Sequence, residues 1–268
     1  MALYIVPTPI GNLGDITRRA VEVLSQVDFV IAEDSRYTLK LLNHLGISKR
    51  IVSHYRPKEE VQAERIVAML AGADGALVTD SGTPGISDPG FILIRRAIAA
   101  GIAVIPLPGP TAFIPALAAS GIDPRRFLFL GFPPRGTGEL RRFLEELAPL
   151  PYALIFYESP RRLCRLLETA AAALGDREFA LAKEVSKKHE TIIRSHLGQW
   201  QEAVKEEEIL GEMVLVIAGG AGKVNREDTP QLSDIDDLYA FFQRRYGMGK
   251  NALKKVLMKK KAPGASGR

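Results

Sequence analysis

Gly75-Ala76-Leu77-Val78-Thr79-Asp80-Ser81-Gly82-Thr83-Pro84-Gly85-Ile86-Ser87-Asp88-Pro89-Gly90 decides how this sequence folds. Residues 75–79 are short, apolar and unbroken, the pattern of a buried strand. The loop that follows is rich in glycine and proline. Asp88-Pro89 then predicts a helix start, with an N-cap followed by proline at the first helical position. The predicted helix runs to Ala100 and stops at Gly101. Strand, loop and helix in that order make one unit of an α/β protein.

The same unit recurs on both sides of this stretch. Residues 3–6 predict a strand, 7–14 a loop, and 16–27 a helix with Ala20, Val23, Leu24 and Val27 at helical spacing. Residues 29–32 and 51–53 predict strands, each followed by a helix. Residues 102–107 predict another, leading through Pro108-Gly109-Pro110-Thr111 into a helix that ends near Ala119. Alternation of this kind requires crossovers and a mainly parallel sheet. Ligands of such sheets bind at the C-terminal ends of the strands. The second half differs. Residues 179–184, 191–195 and 213–218 predict strands without a helix between every pair, hence a mixed sheet. The expected organisation is an N-terminal α/β domain over 1–132, a C-terminal α/β domain over 138–220, and a small basic helical extension over 229–268.

Composition narrows the function. The chain has 268 residues, 46% of them hydrophobic, enough to bury a substantial core. No run approaches the ~20 apolar residues of a membrane helix, and the first residues read as a strand rather than a signal peptide. One cysteine, Cys164, and four scattered histidines leave no cysteine-rich or histidine-paired metal site. The expectation is a cytoplasmic protein with no metal and no membrane. The net charge of +5 is concentrated at the end, since residues 243–268 carry Lys and Arg but no Asp or Glu. Such a tail suits a polyanion; a solvated terminus is the alternative.

The loops carry the chemistry. Neither GxxxxGK[ST] nor GxGxxG is present. In the loop 79–90, Asp80 and Asp88 stand where a phosphate site would need neutral or positive groups. That suits a ligand bearing hydroxyls and positive charge. The alternative is a structural turn whose aspartates cap helices, the role expected of Asp88. Glu33-Asp34-Ser35-Arg36 places two carboxylates and a guanidinium at a strand end, either as part of a site or as a helix start capped by Ser35 with a solvated ion pair. Ser159-Pro160 reads as an N-cap and first-turn proline, Glu158 as lying near the ligand cleft, Trp200 as packing, Arg161-Arg162 and Arg141-Arg142 as helix-surface charges, and His54 and His189 as incidental.

Several runs together resemble one family. They are Tyr4-Ile5-Val6-Pro7-Thr8-Pro9-Ile10-Gly11-Asn12-Leu13, Ala32-Glu33-Asp34-Ser35-Arg36, Asp80-Ser81-Gly82-Thr83-Pro84, Pro106-Leu107-Pro108-Gly109-Pro110, Phe156-Tyr157-Glu158-Ser159, Lys183-Glu184 with Glu190-Thr191, and Gly211-Glu212-Met213-Val214-Leu215. In this order they resemble the ribosomal RNA small subunit methyltransferase I family, ribose-2′-O-cytidine enzymes within the tetrapyrrole (corrin/porphyrin) methylase superfamily. The resemblance implies two α/β domains with S-adenosylmethionine bound between them, a homodimer, and small-subunit ribosomal RNA or the 30S subunit as partner. It also implies cofactor contacts at Gly11, Asp80, Ser81, Gly82, Thr83, Ile86, Thr111, Ala112, Tyr157 and Met213. Asn12 and Thr83 stand where tetrapyrrole methylases carry acids, which argues against a porphyrinoid substrate. A tetrapyrrole methyltransferase and a non-catalytic RNA-binding factor are the alternatives.

Methyl transfer to a ribose oxygen needs in-line placement and a base for the hydroxyl proton. Asp34 and Glu33 are the candidate bases, with Arg36 orienting a carboxylate or holding phosphate. Glu184, beside Lys183, is the second-half candidate. Lys250, Lys254, Lys255 and Lys259 are the candidate phosphate contacts of the C-terminal segment. The alternative for Arg161-Arg162 and Arg141-Arg142, read above as helix-surface charges, is that they face RNA.

Overall fold

Short apolar runs punctuated by glycine, proline and Asx residues set the elements of the first half. The computed structural model describes residues 1–54, 59–205 and 209–220. The expected extension 229–268, with its four candidate lysines, lies outside them. In chain order come β1 (Ala2–Ile5), α1 (Arg18–Gln26), β2 (Phe29–Ala32), α2 (Ser35–His44), β3 (Arg50–Ser53), α3 (Glu59–Leu70), β4 (Gly75–Leu77), α4 (Phe91–Ala99), β5 (Ala103–Pro106) and α5 (Phe113–Ser120). The first sheet has the order β3-β2-β4-β1-β5, with every pairing parallel. Period-two alternation sorts its side chains. Leu3, Ile5, Phe29, Ile31 and Leu77 pack beneath α3 and α4. Val30, Ala32 and Ala76 pack under α1 and α2 on the other face. Thr17 caps α1 by accepting from Ala20 N at 3.1 Å.

The second half gives β6 (Phe127–Gly131), α6 (Thr137–Leu147), β7 (Ala153–Glu158), α7 (Pro160–Leu174), β8 (Glu178–Lys183), β9 (Thr191–His196), α8 (Trp200–Ala203) and β10 (Met213–Ile217). Their sheet has the order β6-β7-β10-β8-β9. β6 and β7 run parallel, and the other pairs are antiparallel, so the sheet is mixed as the pattern predicted. β10, the last strand among the described residues, lies at its centre, with all five residues Met-Val-Leu-Val-Ile buried.

The two faces of this sheet differ in bulk. Leu154, Phe156, Phe179, Leu181 and Leu215 meet α6 and α7. The other face carries Ala153, Ala180, Ala182, Val214 and Val216, and these smaller side chains admit α5 through Ala116 and Leu117. The last helix of the first half therefore packs on the second sheet. Arg194 of β9 holds its C-terminal end, donating from Nε to the carbonyls of Ala119 and Ser120 at 3.2 Å. Residues 1–220 form one compact unit. Among the described residues no helix is long and apolar enough to cross a membrane. Trp200 packs against the core formed with α6 and α7, as expected.

Candidate active site

Three loops at the C-terminal ends of β1, β4 and β5 are joined by hydrogen bonds. Thr8 and Gly82 form an isolated antiparallel bridge, with Thr8 N donating to Gly82 O at 2.9 Å and Gly82 N to Thr8 O at 3.1 Å. The buried Thr8 hydroxyl donates to Thr79 O at 2.9 Å. Thr83 Oγ1 donates to Pro110 O at 2.9 Å. Gly82 sits at φ +89°, a region that any side chain would strain. A Cβ there would also touch Ile10 at 3.4 Å.

The end of the loop departs from expectation. Asp88-Pro89 does not start a helix. The N-cap of α4 is Gly90, at φ 139°. A Cβ at Gly90 would press on Leu77 at 2.9 Å. Its N–H donates to Glu59 Oε1 at 3.0 Å. Asp88 instead lines the cleft. His54 is buried with Nε2 3.6 Å from the same Glu59 oxygen. Burial pushes its pKa down and Glu59 opposes the shift.

The second half supplies the opposite wall. Glu158, at the end of β7, is buried. Its Oε1 accepts from Ser159 N at 2.7 Å, and its Oε2 pairs with Arg162 at 3.1 Å. Arg162 is thus no helix-surface charge. One of its terminal nitrogens also donates to the carbonyls of Pro133 and Pro134 at 2.7 and 3.0 Å. Tyr157 is held by burial well above the usual phenol range, at about 12, although backbone groups of Phe113 and Ala112 pull it down. At the β8–β9 turn Glu184 and Ser186 both have positive φ. Glu184 Oε1 accepts from Glu212 N at 2.8 Å and pairs with Lys187 at 3.0 Å. The Glu212 hydrogen bond, ahead of Lys187, keeps the Glu184 carboxyl below its ordinary range. Lys187 lays its stem over Gly11, leaving no room there for a Cβ, and the Ser186 hydroxyl bonds Asp15. The turn therefore fastens the second half to the loop after β1.

Between these walls lies a cleft of about 360 Å³, within the range of small-molecule sites. Its apolar floor comes from Ile10, Val185, Met213 and Val214. Asp88, Glu158 and Glu212 are among its lining residues and no Lys or Arg is among the described ones, although Glu158 is paired with Arg162 and Glu212 with Lys187 at 3.1 Å from just outside the lining. A lining rich in acceptors and without a cation of its own suits a ligand with hydroxyl and ammonium groups better than a triphosphate.

Of the expected cofactor residues, Ser81, Gly82, Thr83, Ile86, Thr111, Ala112, Tyr157 and Met213 line the cleft, while Gly11 and Asp80 stand outside the lining. Glu33, Asp34 and Arg36 gather at the end of β2, also outside it. Asp34 caps α2, accepting from Arg36 N at 2.8 Å, and its Oδ2 pairs with the exposed Arg36 at 2.7 Å. The Arg36 side chain, then its backbone N–H, holds the Asp34 carboxyl at about 2. Asp34 N donates in turn to Asp80 Oδ1 at 3.3 Å. Burial, ahead of the Asp34 charge, pushes the Asp80 carboxyl up. Sequence reasoning missed Glu212, Phe132 and the cleft position of Asp88. The four-residue spacing of Glu158 and Arg162 was the visible signal for their pair.

Residues 2–201 match the model of the tetrapyrrole (corrin/porphyrin) methylases, so this chain, a parallel sheet joined to a mixed sheet with a cleft at the strand ends, belongs to that class. The crystal structure of the methyltransferase CobJ is similar, with a TM-score of 0.60 and 21% identity, covering 82% of this chain and 95% of that one. Within the class, the chain belongs to the family of ribosomal RNA small subunit methyltransferase I. It is 39% identical over 264 residues to the member from Halalkalibacterium halodurans, covering 97% of this chain and 91% of that one. It is 47% identical over 232 residues to the member from Escherichia coli O157:H7, covering 85% and 80%.

Proposed function

We propose that this chain transfers the methyl group of S-adenosylmethionine to the ribose 2′-hydroxyl of a cytidine in the decoding region of small-subunit ribosomal RNA. The names of its relatives support the RNA, and the cleft supports the methyl donor. The observation that carries the reading is the make-up of the cleft: eight of the ten expected cofactor residues line it, with acceptor groups and no cation among the described lining residues. A sulfonium with an ammonium group and ribose hydroxyls fits such a surface, and the apolar floor fits an adenine.

When bound, S-adenosylmethionine supplies a methyl group on a good leaving group. The protein's part is placement, which contributes roughly 7–11 kcal/mol of barrier lowering. Ser81, Gly82, Thr83, Ile86, Thr111, Ala112, Tyr157 and Met213 hold the donor in this reading. Gly11 and Asp80 support the loops behind them. As the new C–O bond forms and the C–S bond breaks, the hydroxyl proton passes to a carboxylate oxygen. Asp34 or Glu33, at the end of β2, is the proton acceptor in this reading, with Arg36 orienting Asp34 and Asp80 Oδ1 accepting from Asp34 N. Glu184 is committed to Glu212 and Lys187 and shapes the wall. The working unit is a cytoplasmic homodimer with 1–132 and 138–220 as its two domains, and Lys250, Lys254, Lys255 and Lys259 reach RNA phosphates.

The test is to incubate labelled S-adenosylmethionine with unmodified small subunits and locate the methylated nucleotide by mass spectrometry. A 2′-O-methylcytidine is expected. Label on a porphyrinoid and none on RNA would overturn the reading.

A further inference from the structure

We propose that Phe132 forms a stacking platform for an unpaired base of the RNA substrate at the mouth of the cleft. The proposal rests on the RNA reading above and adds a binding subsite to it. Phe132 directly follows β6. It lines the cleft, yet it is 59% exposed. Among the lining residues, only Ile86 on the loop 79–90 is another large apolar side chain left so open. A lone exposed aromatic is ordinary on a protein surface; Phe132 differs in that it also lines the cleft.

The ring ends an aromatic run. Phe113 stacks on Phe129 at 4.4 Å, Phe129 meets Tyr157 edge-on at 4.9 Å, and Tyr157 meets Phe132 at 5.8 Å and 61°. Phe132 is therefore supported from the cleft side while much of its surface meets solvent. Its backbone is also held. The next two residues, Pro133 and Pro134, give their carbonyls to Arg162, and Arg162 is fixed by the buried Glu158. A buried ion pair thus anchors the segment that presents the ring, and such preorganisation reduces the ordering cost of binding.

Charge selects the ligand. The cleft lining has no Lys or Arg among the described residues to hold a phosphate, so a nucleotide chain offers the cleft a sugar and a base. Exposed cations stand nearby in sequence for the flanking phosphates: Arg135 follows Phe132 by three residues, and Arg161 adjoins the cleft-lining Pro160. This arrangement holds the backbone outside and splays one nucleotide toward the ring. Recognition of unpaired RNA on aromatic faces works in this way.

The test uses the full chain, unmodified small subunits and S-adenosylmethionine, with Phe132→Ala, Phe132→Leu and Phe132→Trp. A stacked base is worth about 1–3 kcal/mol by alanine substitution, so Phe132→Ala should lower kcat/KM for the subunit about 5- to 150-fold. The Kd for S-adenosylmethionine, by calorimetry, should stay within about twofold of the unaltered protein. Phe132→Trp should restore activity and Phe132→Leu should not. A parallel loss of cofactor affinity would assign the ring to the cofactor's adenine instead. Unchanged kinetics in Phe132→Ala, or full activity in Phe132→Leu, would also overturn the proposal. If the unaltered protein does not methylate small-subunit RNA, the functional reading falls and takes this subsite with it. If it does and Phe132→Ala matches it, the subsite alone falls.

Discussion

Replacing Arg162 by methionine keeps most of the apolar stem and removes the guanidinium. The Glu158 side chain is 1% exposed and Arg162 19%. After the change Glu158 keeps Ser159 N as a donor but is a buried carboxylate without its cation. Removing one partner of a buried pair costs about 3–5 kcal/mol. The residual exposure of Arg162 places this case near the lower end, about 3 kcal/mol. Proteins of roughly this size lose about 2–4 °C of Tm per kcal/mol, so Arg162→Met should melt about 6–12 °C lower by circular dichroism. Glu158→Gln should also destabilise. The double variant should lose less than the sum, with a coupling of at least about 1 kcal/mol. A Tm shift under about 2 °C for Arg162→Met, or strict additivity in the cycle, would refute the view that this pair anchors the segment 132–134.

Three further outcomes follow from the same geometry. Gly82→Ala should cost about 1–2 kcal/mol, because an L side chain at φ +89° is strained, and it should weaken S-adenosylmethionine binding measured by calorimetry; unchanged affinity would separate the Thr8–Gly82 bridge from the site. The Asp34 carboxyl is held from 3.8 down to about 2 by Arg36, so its stabilising contribution is present above pH 3.8 and is lost as pH falls toward 2. An NMR titration of Asp34 should show the low value in the unaltered protein and a return toward 3.8 in Arg36→Ala. His54 has its pKa lowered by burial, so stability should be full above the ordinary 6.5 and fall as pH drops through the folded value. Urea unfolding of His54→Phe between pH 7 and 5 should lack that slope; an identical slope would place the titration elsewhere.

The parallel half was legible because its signals are local. The run Phe29-Val30-Ile31-Ala32 is buried throughout, and the loops after β1, β4 and β5 announce themselves by glycine and proline. The start of α4 was misread for a local reason too. Asp88-Pro89 carries cap chemistry, but Gly90 can take φ 139° and lets the backbone approach Leu77, which moves the helix start two residues on. Arg162 looked like an ordinary surface charge because its partner's burial arises only when β7 and α7 meet. The cleft was half legible. Its glycine-rich loops and the strand end Tyr157-Glu158 could be read, whereas Phe132 and Glu212 reach it only through pairings between distant strands. Asp34 looked like a free base at a strand end, yet helix capping and Arg36 both claim its oxygens.

The central position of β10 bears on how this chain is made. On the ribosome residues emerge from the N-terminus, and the first sheet has all its strands once Pro106 is out. The second sheet cannot close so early. β7 and β8 each pair with β10 on opposite sides, so until residues 213–217 appear both present open edges to the cell. Open edges recruit other chains, and long-range strand pairing is slow. Nascent chains ending before Met213 should therefore need chaperone cover, and the cleft, walled by Met213 and Val214, is completed only near the close of this region's synthesis.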